Sequence, residues 1–223
     1  MTTSRQALVS LLASAVLLLG LGGLADPPDW SLTPGEVDEM VAAIAARHIH
    51  GDLDGAPSPE EIDAIAADRP VVTTCTYVSR WAVSLLHRHG IRARTVSTLT
   101  LDAWNDHNNG HTLIEAMVDG EWVAFDVDLG VRFTDDGGAP LSLAEWVERV
   151  PRDDYRIVPI EPGTPPAAEL YSLYRRVAQV PLIADGKRFW FWSEREARVL
   201  SYHSSYVAMD REAWEARFYP DGM

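Results

Sequence analysis

Asp119-Gly120 sits between two apolar-rich runs, residues 111–118 and 121–128, and no other stretch of the 223-residue chain constrains the fold as tightly. Asp-Gly is a preferred pair for a two-residue type I′ turn, whose twist matches that of antiparallel strands. The hairpin predicts an antiparallel sheet. With a two-residue turn, Val118 pairs with Glu121, and the ladder continues until Leu113 faces Asp126 and His111 faces Asp128. All four side chains then share one face, with Asp126 on the diagonal from His111. Both carboxylates are within reach of the imidazole. The ideal register favours Asp128; a bulge or a longer turn favours Asp126.

Upstream, Val78, Trp81, Ala82, Leu85 and Leu86 recur at helical spacing, with Thr73 and Thr74 as cap candidates and Gly90 as the stop. Cys75, the only cysteine, falls where this helix begins. Free N–H groups and the positive end of the helix dipole favour a thiolate there, and the thiolate is the nucleophile. Such a nucleophile needs a base and a group to orient the base. Cys75, His111 and an aspartate supply those roles in order. They would attack a carbonyl carbon, form a thioester and pass the acyl group to water or an amine. The plain alternatives are a buried inert thiol, an intermolecular link, a packed strand histidine and turn-forming aspartates.

The rest of the chain reads as mixed helix and strand. Thr33-Pro34-Gly35-Glu36 opens a helix over 34–47, and Ser58-Pro59-Glu60-Glu61 opens one through about Ala67. Ile91 to Ser97 alternates as a strand. Ser142 caps a helix over 143–150, residues 151–166 read as a surface crossing, and 167–179 as an amphipathic helix with Leu170, Leu173, Tyr174 and Val177 inward. Asp185-Gly186 marks a second hairpin, and Asp210 to Phe218 a last helix. His48 to Gly55 offers His-x-His and Asp-x-Asp-Gly, but lacks the further ligands of a zinc or calcium site and reads as a polar loop. A metal centre on His48, His50, His107 and His111 is the weakest reading of the chain.

Arg5, the apolar run Ala7 to Leu24 and the small-x-small pattern Gly23-Leu24-Ala25 describe a signal peptide cut after Ala25. The same run also fits an uncleaved anchor. The net charge is −14, and removing residues 1–25 takes one arginine and no acid. That balance argues against nucleic acid or anionic lipid as the main partner.

His89-Gly90-Ile91-Arg92-Ala93-Arg94, then Gly110-His111 with Glu115 four residues on, then Trp122-x-x-x-Asp126, together resemble the transglutaminase-like superfamily of papain-like thiol enzymes. The resemblance covers residues 70–130. It implies an α+β fold with N-terminal helices, the nucleophile helix packed on an antiparallel sheet, and a single domain over 26–223 with an extension at 160–223. It implies Cys75 as nucleophile, His111 as base and Asp126 as orienter, with Asp128 the alternative. Thr112 and Leu113 stand where the family usually has an aromatic, and Val127 where it often has proline, which leaves the substrate class open. The reading is an exported or periplasmic amide hydrolase or acyl transferase acting on cell-envelope peptides or proteins, without cofactor or metal. Trp104, Trp190 and Trp192 are candidate substrate-binding residues. The competing reading is a non-catalytic envelope binding module.

Overall fold

The structure, a computed structural model, describes residues 34–100, 110–160, 167–193 and 205–222. Helix α1 (Pro34–Ala45) turns Val37, Val41 and Ile44 into the core at three- and four-residue steps. Strand β1 (His48–His50) follows. Helix α2 (Pro59–Asp68) opens on the expected capping box: Ser58 Oγ accepts from Glu61 N, and Glu61 Oε2 accepts from Ser58 N. Strand β2 (Val71–Thr73) pairs in parallel with β1 and leads directly into α3 (Cys75–Arg88). At the end of α3, Ile91 N donates to Leu86 O and Gly90 N to His87 O. This is a Schellman stop with its apolar clasp, since Ile91 and Leu86 are both buried.

The main sheet starts at β3 (Ala93–Leu99), β4 (Gly110–Val118), β5 (Glu121–Asp126) and β6 (Val131–Thr134). After α4 (Leu143–Arg149) come β7 (Arg156–Pro159), α5 (Ala167–Val177), the hairpin β8 (Val180–Asp185) and β9 (Arg188–Trp192), then β10 (Tyr206–Met209) and α6 (Arg211–Phe218). The order across the eight strands is β10-β9-β8-β3-β4-β5-β6-β7, antiparallel except for β9 with β10. Asp119 and Gly120 take φ angles of 52° and 89°, and β4 pairs with β5 in the expected register from Val118↔Glu121 to Ile114↔Phe125.

Alternation along the strands divides the core. Ile114, Ala116, Val123 and Phe125 pack with Val41, Ile62, Val78, Trp81 and Leu86 of α1–α3. Leu113, Trp122, Ala124 and Phe133 pack with Trp146, Leu170, Tyr174 and Trp214 of α4–α6. The fold is α+β with the Cys75 helix on one face of an antiparallel-dominated sheet and a second helical layer on the other.

Four sequence expectations change. Residues 48–50 are a strand rather than part of a polar loop, because β2 gives them a parallel partner. Residues 151–166 are not a plain crossing: 156–159 pair with β6 as an edge strand. The strand expected over 121–128 ends at Asp126, where the chain turns to pair with β6. Trp190 and Trp192 pack under α6, with the Arg217 and Arg211 guanidinium carbons 4.6 and 4.9 Å from their ring centroids. They pack in a layer beneath α6 rather than standing as an exposed substrate platform. The capping residue Thr33, the segment 1–25, Trp104 and His107 lie outside the described residues. Among the described residues, no helix is long and apolar enough to cross a membrane.

Candidate active site

Cys75 is the first residue of α3, and Thr74 holds the N-cap position with extended backbone but makes no side-chain cap bond. Its hydroxyl therefore does not take up the first-turn N–H groups, which suits an anion at this helix end. The neighbouring hydroxyl of Thr76 bonds Thr112 Oγ1 at 3.1 Å, fastening the start of α3 to the start of β4.

His111, the second residue of β4, comes from a close strand approach. A Cβ on Gly110 would sit 2.4 Å from the Thr98 carbonyl oxygen of β3. Only glycine lets the two backbones pair at this point, which accounts physically for the Gly-His step.

His111 Nε2 donates to Asp126 Oδ2 at 2.8 Å, leaving Nδ1 as the nitrogen free to face the thiol. Asp126 is fully buried. Its Oδ2 also accepts from the Tyr174 hydroxyl at 2.7 Å, and its Oδ1 from Leu129 N at 3.2 Å. Tyr174 stands on the inward face of α5, so the C-terminal extension reaches into the site. Sequence reading found Tyr174 as an inward residue but not as a partner of Asp126. A hydroxyl on an otherwise apolar helix stripe was the available signal.

The electrostatics follow from these contacts. Burial pushes the Cys75 thiol up, but the hydrogen bond and charge of His111 and the Thr112 N–H outweigh it and hold the thiol below its ordinary value. The negative charge of Asp128 works against this. Burial pushes His111 down, yet the charge and hydrogen bond of Asp126, with Cys75, hold it well above the ordinary imidazole value. Burial likewise pushes Asp126 up, and its His111, Tyr174 and Leu129 partners hold it below the usual carboxylate range. Tyr174 is raised well above 10 by burial and by Asp126, so it stays a donor. Both shifts work toward thiolate beside imidazolium.

Asp128, the orienter preferred by an unbroken ladder, meets different partners. Its Oδ2 accepts from His50 Nδ1 at 2.7 Å, and its Oδ1 lies 3.2 Å from His48 Nδ1. It still stands close to the pair, since ligand atoms of Cys75, His111 and Asp128 lie within 4.8 Å of one another. The Asp-x-Asp-Gly loop serves β2: Asp54 pairs with Arg69 and accepts from Val72 N at 2.7 Å.

A helix that presents a cysteine to a strand histidine, which is in turn tied to an aspartate on the next strand, defines the papain-like class of thiol-enzyme folds. Residues 36–127 match the model of the Transglutaminase-like superfamily. A solved structure of a candidate cysteine protease from Cytophaga hutchinsonii is similar over 54% of this chain and 37% of its own, at 16% identity and a TM-score of 0.35. The match thus spans little more than a third of that protein. No curated protein matches the sequence.

Proposed function

We propose that the protein is an exported thiol enzyme that hydrolyses amide bonds of peptides or proteins. Cys75 is the nucleophile, His111 the base and Asp126 the group that orients it. The observation that carries this reading is the chain of contacts from the partly exposed thiol through His111 to a buried, triply bonded Asp126. In the reaction, Sγ bonds to the carbonyl carbon and the α3 N-terminal N–H groups stabilise the oxyanion. His111 then gives its proton to the departing amine as the C–N bond breaks. Water attacks the thioester, His111 takes its proton, and cleavage of the C–S bond releases the acid and restores the thiolate. Hydrolysis is preferred to transfer because water needs no acceptor site, whereas an amine does.

Export rests on Arg5 and the apolar run to Leu24, and it makes cell-envelope peptides the substrate class to screen. The test is intact-mass analysis during turnover of glutamine-containing and envelope peptide amides. An acyl adduct on wild type that is absent from Cys75→Ala supports the reading. Turnover that survives Cys75→Ala contradicts Cys75 as the nucleophile, and a thiol inert until the protein is denatured contradicts the reading and leaves a binding module.

A further inference from the structure

The proposed reaction leaves one buried carboxylate without a role. The Asp128 side chain is 3% exposed, and one of its carboxylate oxygens lies within 4.8 Å of Cys75 Sγ and a His111 ring nitrogen. Its Oδ1 has no aligned hydrogen bond, although His48 Nδ1 is 3.2 Å away. His48 is itself held in place, with Nε2 donating to Thr73 O at 2.9 Å. A buried carboxylate gathered with a thiol and an imidazole is an arrangement that a cation among the three would satisfy.

We propose that Cys75, His111 and Asp128 form a three-ligand site for a thiophilic divalent cation, with Zn²⁺ the best match, and that the bound cation caps the nucleophile. The inhibitory consequence rests on the catalytic reading above; the binding itself does not. One sulfur, one imidazole nitrogen and one carboxylate oxygen with a fourth position open is a zinc-type donor set. Calcium and magnesium, which take mainly oxygen ligands, find only one carboxylate here. Zinc bond lengths of about 2.0 to 2.3 Å put tetrahedral donors roughly 3.3 to 3.6 Å apart. The donors now lie within 4.8 Å of one another, so closure needs only small side-chain movements.

The surrounding contacts are those a metal site uses. Metal-bound histidines donate their second ring N–H to a carboxylate, and His111 does this to Asp126 at 2.8 Å. His50 fixes the Asp128 carboxylate by donating to Oδ2 at 2.7 Å. Each of the three residues keeps some solvent exposure, little of it on the His111 and Asp128 side chains, which are 10% and 3% exposed. Binding forms the S–metal, N–metal and O–metal bonds and releases to water the one proton shared by the thiol and imidazole.

The test uses the full chain, first treated with chelator. Co²⁺ serves as the spectroscopic probe through its thiolate charge-transfer band, and Zn²⁺ as the blocking ion in an iodoacetamide assay. The proposal expects a Co²⁺–thiolate band, alkylation stopped by stoichiometric Zn²⁺ and restored by chelator. It also expects metal affinity about 10- to 100-fold weaker in His50→Ala, which removes a supporting contact. An Asp128→Asn variant with native circular dichroism should bind more weakly still. If the chelated protein alkylates readily but Zn²⁺ does not slow it, the metal site is refuted and the thiol enzyme stands. If Asp128→Asn keeps full affinity, Asp128 is not a ligand and the proposal fails. If the chelated thiol is inert, the catalytic reading fails, and the Co²⁺ band alone decides the metal site.

Discussion

Asp126 and Asp128 differ by two positions on one strand pattern, and their roles are set by where β5 stops. A straight ladder would have carried His111 to Asp128. Instead Asp126 pairs with Val131 of β6, the chain leaves β4 after Phe125, and the diagonal neighbour becomes the partner. The hairpin register was legible from Asp119-Gly120, but its end was not: Asp126, Asp128 and Gly130 are all turn-type residues, and nothing local fixes whether the strand stops at 126 or at 128. Tyr174→Phe tests the third bond to Asp126. It should lower stability by about 1.5 to 3 kcal/mol, the range for a hydrogen bond to a charged group, and slow Cys75 alkylation; thermal unfolding and labelling rates check both. The pH dependence has a definite sign. His111, raised in the fold, contributes stability fully below its ordinary value of about 6.5 and loses it as pH rises through the raised value. Asp126, lowered in the fold, contributes above about 3.9 and loses this as pH falls through its lowered value. The melting temperature of chelated wild type should therefore fall on both sides of a plateau, and Asp126→Asn should remove the acid-side fall due to this pair.

The sequence motifs turn out to be scaffold as much as chemistry. Arg94 and Glu115 are cross-strand partners on β3 and β4, and the fully buried Glu115 pairs with Arg94 at 2.7 Å. Glu115 also accepts from Leu143 N and the Tyr219 hydroxyl, each at 2.7 Å, which ties in the start of α4 and the end of α6. Trp122 lies under Arg94, 4.1 Å from centroid to guanidinium carbon. Glu115→Ala removes the carboxylate from the part-buried Arg94 and the acceptor from Leu143 N and the Tyr219 hydroxyl, and should cost about 3 to 5 kcal/mol, measured by denaturant unfolding. Gly110→Ala forces a carbon against the Thr98 carbonyl and should cost about 1 to 3 kcal/mol while displacing His111 and slowing Cys75 labelling. The helices were legible because Ser58, Ser142 and Asp210 cap them locally and their apolar steps repeat. Strands β1, β7 and β10 were not. Each has three or four residues, too few for a period, and is stabilised by partners elsewhere in the chain.

The molecule as a whole explains why the recognisable segment is shorter than the folding unit. Residues 36–127 hold the thiol, the imidazole and Asp126, yet one face of their sheet is covered by α4, α5 and α6. Without those helices Leu113, Trp122 and Ala124 face water and Asp126 loses Tyr174. A fragment ending at residue 135 should show no cooperative thermal transition, whereas residues 26–223 should. The central claim is that Cys75 is a nucleophile activated by His111, and the most direct measurement is the pH dependence of Cys75 alkylation by iodoacetamide in chelated wild type and His111→Ala. The account predicts fast labelling in wild type well below the free-thiol value of about 8.5, with that low-pH reactivity lost in the variant. Labelling that rises only near the free-thiol value in both proteins would contradict it.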